Sequence, residues 1–430
     1  MNLSRFKFDK DILWSTFIQL TGKIGQMILG VLAVKLLTNA LGPENYGVYG
    51  KISEFSLFFA TAANLGIFGN IIRKISEDPK DGSLFANALF LRLATALLFF
   101  GTGLIYALVF IKDPLFLAGT LLFMGSLLFD YLTTICTGIL QVHYRMGRAT
   151  LALLAGRLLN LGLIYGLTHG IGFLDSVSTA HFFLAPLLSA VLTLALTFYF
   201  ARQVLKPKWK FEKTVLKDLL WTSIPFGVIN ITNNLYFRFI PSILLAKILS
   251  NSTYGLYDLS LSISATVSLL STLFMFSVLP KLKHHLSEKN WKKSRALYKN
   301  ARTLLMVGFI GVVTVGTWLA PLALTLVSSK DFLDPVYWFI LPLLLMLAGV
   351  SYFYDLAFLT LFALDKDLAW MKQEILVLVG SLGLFTIAFK FGSTAPAQTI
   401  LILTTAIIAE ATMAVWGMKK AKKLLVTNTN

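Results

Sequence analysis

Cysteine is nearly absent. Cys136 is the single one in 430 residues, which excludes an intramolecular disulfide and a cysteine-based zinc site. It lies in an apolar segment and reads as packing. Charge is also scarce: 14% of residues carry one, where a soluble domain has about 25%. No Gly-rich loop ending in Lys-Ser/Thr occurs, so no P-loop ATPase is built in. HExxH and His/Cys clusters are missing too; His284-His285 is a lone pair that reads as surface. No domain-sized polar segment interrupts the chain. A polytopic enzyme working on glycans would be expected to need one outside the membrane, and nothing here supports catalysis.

What is present is apolar length. The chain is 56% hydrophobic with a mean hydropathy of +0.74. Twelve spans are predicted, at 12–38, 46–71, 84–111, 114–142, 149–168, 180–202, 219–247, 254–280, 301–327, 335–364, 369–390 and 397–418. Each is long enough for a hydrocarbon core of about 30 Å at about 1.5 Å per residue. Strands of a closed barrel would alternate over about ten residues, and runs such as Leu341–Val350 do not. Arg5, Lys7 and Lys10 precede an apolar stretch too long for a cleavable signal, so none is expected.

The net charge of +17 would suggest nucleic acid in a soluble protein. Its distribution argues otherwise. Twenty-eight Lys and Arg fall at the termini and the even-numbered connections, against only Lys112, Lys247, Lys330 and Lys390 on the other side. This bias predicts a cell-membrane protein, inner or plasma, with both termini cytoplasmic. No nucleic-acid partner is expected. His284–Lys299 is a basic amphipathic stretch suited to anionic membrane lipids.

The chain also repeats itself. Leu36–Ile52 reads LLTNALGPENYGVYGKI, and Lys247–Tyr257 reads KILSNSTYGLY; both contain Tyr-Gly-x-Tyr. Trp14-Ser15-Thr16 has a counterpart in Trp221-Thr222-Ser223, and Ile75-Ser76-Glu77 in Leu286-Ser287-Glu288. Six spans per half is even, so both halves share one orientation. The predicted fold is all-α and polytopic, with about twelve transmembrane helices in two six-helix lobes related by a parallel pseudo-two-fold repeat. The lobes are expected at 1–205 and 219–430, with a basic cytoplasmic linker at 206–218.

Charges at bilayer depth are costly and mark functional interiors or internal pairs. Tallied by half, Lys23, Lys35, Lys51, Arg92 and Arg157 stand against Glu54 and Asp130 in the first. Arg238 stands against Asp258, Asp355 and Glu410 in the second. Gln19, Lys23 and Gln26 share one helix face, and Asn230, Asn233, Asn234 and Arg238 form a wider polar stripe on span seven. These stripes suit either ligand contact or interhelical hydrogen bonding. Arg92 and Arg157 lie near span ends and could instead snorkel. Lys51 and Glu54 could pair. Asp130, Asp258, Asp355 and Glu410 are ion-coupling candidates or counter-charges. Pro225 and Pro241 interrupt span seven. No cofactor or metal is expected; a proton or sodium gradient is the candidate energy source.

The stretch Leu36–Tyr49, containing LGPENYGVY, resembles the signature that follows the first span in polysaccharide (O-antigen and oligosaccharide) flippases. These belong to the multidrug/oligosaccharidyl-lipid/polysaccharide (MOP) exporter superfamily. Gly138–Gln141, Met146 and Arg157–Asn160 are similar to that family's fourth and fifth spans. The resemblance implies translocation of a polyprenyl-diphosphate-linked oligosaccharide from the inner to the outer leaflet by alternating access. It implies a role in lipopolysaccharide or capsule export, and polysaccharide assembly proteins as candidate partners. Lys23, Arg238, Arg92 and Arg157 would meet the diphosphate, and Gln19, Gln26, Asn230 and Asn234 the sugar. A drug or metabolite antiporter of the same superfamily is the alternative.

Overall fold

The computed structural model describes residues 10–67, 71, 74–75, 81–169 and 178–427; the side chains of residues 10–20, Phe276 and Thr427 lie outside that description. Among the described residues there is no strand. Ten helical runs are long and apolar enough to cross a membrane. The first contains two spans. Helix α1, Lys10–Asn64, breaks at Gly42, whose φ of 65° and ψ of 174° leave helical space. Glycine tolerates that φ at little cost, and Pro43 restarts the helix with its own fixed φ. The expected connection between spans one and two is therefore a break at a single residue. The second span is also interrupted: helix stops at Asn64, Leu65 and Gly66 both have positive φ, and Ile67, Ile71, Lys74 and Ile75 beyond them are helical again.

Next come α2 (Gly82–Tyr106) with a π-helical turn at Ala107–Ile111, α3 (Pro114–Val142), α4 (Met146–Thr168) and α5 (Leu184–Val204). Span seven is composite. Helix α6 (Lys213–Asn234) contains Pro225, a π-helical turn follows at Leu235–Phe239, and α7 (Ile240–Ile248) has Pro241 in its first turn. Then follow α8 (Asn251–Ser287), α9 (Trp291–Gly311) with a π-helical turn at Val312–Gly316, and α10 (Ala320–Val327). The last are α11 (Ile340–Ala363), α12 (Asp367–Phe391) and α13 (Ala395–Thr427). With α1 counted twice and α6–α7 included, the spans number twelve.

The chain forms two compact units. Unit 1 is Met1–Leu41 with Ile52–Gly227, and unit 2 is Gly42–Lys51 with Val228–Asn430. In unit 1, α5 packs on α3 and α4. One core gathers Ile67, Ile71, Phe85, Ile139 and Leu219. The basic stretch after α5 is strapped onto the start of α2. Lys208 donates its backbone N–H to Gly82 O at 2.8 Å, and Asn87 pairs with Lys210 O (3.0 Å) and the Glu212 amide (3.2 Å). Lys74 pairs with Asp218. In unit 2, α11 is enclosed by α8 and α13. Large apolar side chains such as Leu98, Phe110, Val307, Leu376 and Val379 stay exposed on the helices, as hydrocarbon-facing surfaces do.

Candidate functional site

Unit 1 presents its accessible polar groups from three helices. On α1, Gly22 meets Thr150 and Gly25 lies within 3.2 Å of a Leu154 methyl, counted from where a Cβ would be. The missing side chains let α1 approach α4. Lys23 is exposed and Gln26 half-buried, and Lys23 makes no hydrogen bond or ion pair among the described residues. The Gln19 side chain lies outside them. Arg157 on α4 and Asp130 on α3 are both exposed, with Asp130 in electrostatic reach of Arg157.

Arg92 behaves differently. It is 1% exposed and neither snorkels nor opens to a surface. Its guanidinium donates to Asn64 O at 3.1 Å and stacks over the Tyr131 ring, 4.9 Å from the centroid. Tyr131 in turn donates to Ala60 O. A cation at the carboxyl end of a helix meets its negative dipole end. Arg92 thus caps the broken end of span two.

Unit 2 buries its carboxylates. Glu410 on α13 is 1% exposed and Glu374 on α12 is 0% exposed. Asn233 donates to Glu410 Oε2 at 3.2 Å and to the Tyr236 hydroxyl at 2.9 Å. Tyr236 and Tyr354 both donate to Glu374 Oε1, at 3.3 and 2.8 Å. Trp370 packs edge-on against Tyr354 at 5.0 Å. Span seven is thereby tied at its π-helical turn to α11, α12 and α13. Asp355 on α11 accepts from Ser271 (2.5 Å) and Thr272 (2.7 Å) on α8, within electrostatic reach of Glu410. Among the described residues, no trio of His, Cys, Asp and Glu could hold a metal ion.

The span-seven stripe divides its work. Asn234 bonds back to Asn230, at 2.8 Å to its carbonyl and 3.1 Å to its side chain. Arg238 lies half-buried in the π-helical turn. Asp258 is buried on α8, where it fills the space a Cβ on Gly50 would need, 2.7 Å from its Cγ. Lys51 donates to Asn251 Oδ1 at 2.8 Å and sits 5.3 Å from the Tyr254 ring centroid. Glu374 is not among the intramembrane charges that the sequence marks. Its signal is an isolated carboxylate at the start of an apolar run, close behind the mixed charges Asp365, Lys366, Asp367 and Lys372.

Twelve spanning helices in two units, with polar side chains carried on them, define an all-α polytopic membrane protein. Solved structures bear this out at the level of fold. A multidrug resistance MATE family transporter of the MOP superfamily, in an inward-facing conformation, aligns with a TM-score of 0.71 and 16% identity over 94% of this chain and 96% of that one. An outward-facing one gives 0.66 and 17%, over 96% of each chain. A MOP superfamily transporter from Pyrococcus furiosus, described as having a binding pocket of reverse polarity, gives 0.64 and 17%, again over 96% of each. No curated protein matches the sequence. The polysaccharide biosynthesis protein family matches residues 12–280, and the chain belongs to that family.

Proposed function

We propose that the protein is a flippase moving a polyprenyl-diphosphate-linked oligosaccharide from the cytoplasmic to the outer leaflet by alternating access. The observation that carries this reading is Lys23: an accessible cation on α1 with no hydrogen bond or ion pair among the described residues, beside the half-buried amide of Gln26. A diphosphate needs cationic donors, and a glycan needs amides. Arg238 and Arg157 are the further proposed diphosphate contacts, and Gln19, Asn230 and Asn234 the further sugar contacts. Membership of a polysaccharide biosynthesis family supports the substrate class. The charge bias supports cytoplasmic termini and a location in the cell membrane.

The buried pair Glu374 and Glu410, with Asp355 nearby, is the proposed proton-coupling element. Both are buried and are joined through Asn233 and Tyr236 to span seven. The second reading, a drug or metabolite antiporter, is favoured by the likeness to multidrug transporters. It suits the acidic second unit better than the accessible Lys23.

The test is reconstitution in proteoliposomes with a fluorescent polyprenyl-diphosphate oligosaccharide and, separately, a cationic dye. Outward appearance of the glycan lipid, lost in Lys23→Ala at normal membrane levels, is expected. Dye exchange without glycan movement would establish the antiporter instead.

A further inference from the structure

Three helices of unit 2 carry a concentrated positive charge at one shared end. Helix α8 has 37 residues and α13 has 33. At about 1.5 Å per residue they measure about 55 and 50 Å, longer than a bilayer with its headgroups at about 40–45 Å. The excess forms a packed stub, because Leu282, Ser294, Tyr298, Ala421 and Leu425 are all buried there. Arg295 on α9 donates to Leu425 O at 2.8 Å and fastens two of the ends together.

Residues 281–302 hold eight Lys or Arg against Glu288 alone, and residues 419–423 hold four with no acid. Glu288 lies 3.3 Å from His284. Lys283 and Lys420 lie over the rings of Phe362 and Trp416. Lys281, Lys292, Lys293, Lys299 and Lys422 remain exposed. The corresponding surface of unit 1 is partly neutralised: Lys74 meets Asp218, and Lys210 meets Glu212 at 3.1 Å. Orienting a chain in the membrane needs positive charge, but it does not need that charge gathered on a folded surface.

We infer that this basic stub is a loading surface that captures the diphosphate headgroup of the substrate lipid at the cytoplasmic leaflet before translocation. The inference rests on the flippase reading and its orientation. A diphosphate ester carries more charge than the single phosphodiester of a bulk lipid. Clustered lysines therefore discriminate between them by charge density, with no shaped pocket. The surface acts on encounter, so it sets the substrate concentration at half-maximal rate and leaves the turnover step alone.

The experiment uses the full chain in proteoliposomes with a fluorescent polyprenyl-diphosphate oligosaccharide. Vesicles are phosphatidylcholine alone, or phosphatidylcholine with phosphatidylglycerol. The triple variant Lys292→Gln, Lys293→Gln, Lys299→Gln changes only exposed side chains; the matching Lys→Arg triple keeps the charge. The expected result is a KM raised about tenfold at unchanged kcat in the glutamine variant, restored by arginine and weakened by salt in the wild type. An unchanged KM overturns the inference. So does an effect seen only with phosphatidylglycerol present, which would mean that the surface reads bulk lipid. Absence of any glycan-lipid movement by the wild type is a separate outcome: it removes the flippase reading and this inference with it.

Discussion

Gly47 and Gly255, the glycines of the two Tyr-Gly-x-Tyr sequences, pack against each other within unit 2. A Cβ on Gly47 would strike the Asn251 carbonyl and lie 3.1 Å from Gly255 N; one on Gly255 would strike Pro43 O and lie 3.1 Å from Gly47 N. The repeat recognised in the sequence is thus also a contact. Its glycines are there because two helix backbones touch.

Gly47→Ala and Gly255→Ala should each destabilise the protein by about 1–3 kcal/mol, the usual cost of overpacking a close contact. The double variant should cost less than the sum, since a backbone pushed apart once has already made room. Gly30→Ala is the control, because among the described residues nothing beyond its own helix backbone and chain neighbours lies within 4 Å of its added Cβ. Thermal unfolding of the solubilised protein measures all four. A midpoint for Gly47→Ala equal to that of Gly30→Ala would refute the close contact.

Asp81 gives a pH prediction. Its carboxylate caps α2 by accepting from the Ser83 amide and hydroxyl, both at 2.8 Å. Partial burial pushes it up, but the hydrogen bonds from Ser83 and Leu84 and the charge of Lys208 outweigh that and hold it below the usual carboxylate range. A depressed folded value adds stability above the unfolded value of about 3.9, and that stability is lost as pH falls through the folded value. Asp81→Asn keeps the cap and abolishes the titration, whereas Asp81→Ala should lose about 1 kcal/mol at neutral pH. Melting curves of wild type and Asp81→Asn should converge or cross below about pH 4. Parallel curves throughout would dismiss the linkage.

Arg92 separates a structural cation from a ligand-binding one. Arg92→Met leaves the Asn64 carbonyl without its donor and removes the stack on Tyr131, at a cost of about 1–3 kcal/mol. Arg92→Lys restores charge but cannot match the planar guanidinium. Both variants should melt early while the KM for the glycan lipid stays at the wild-type value. A raised KM at unchanged stability would make Arg92 a substrate contact instead.

Much of this was legible in the sequence. The spans followed from apolar length, because lipid leaves a helix no other way to satisfy its backbone. Pro225 and Pro241 announced the irregular span seven. At Gly42 the sequence predicts a longer connection, since Gly-Pro marks a turn but does not give its length. Arg92 could not be placed from its position near a helix end: snorkelling and burial have the same sequence signature. Glu374 escaped because its partners, Tyr236 and Tyr354, are 138 and 20 residues away. Hydroxyls at such separations leave no periodic trace.

The Glu374–Glu410 pair yields the prediction that bears most directly on energy coupling. Its hydrogen bonds run through Asn233 and Tyr236, on either side of the junction where α6 passes into the π-helical turn holding Arg238. On the proposed coupling, a proton gained or lost by either carboxylate would alter what Asn233 and Tyr236 can donate to, and so bias the register of that turn. Glu374→Gln and Glu410→Gln preserve volume and one accepting oxygen while removing the charge. Initial rates of glycan-lipid movement should be compared with a proton gradient imposed and with it collapsed. The wild type should be faster with the gradient. Each glutamine variant should run at one rate in both conditions, with lipid exchange at equilibrium retained. Tyr236→Phe leaves both carboxylates but cuts the link, so it should lower the gradient response without abolishing exchange. If both glutamine variants keep the full wild-type ratio of rates, the pair is a structural network and coupling lies elsewhere. A response to a sodium gradient in place of the proton gradient would reassign the ion.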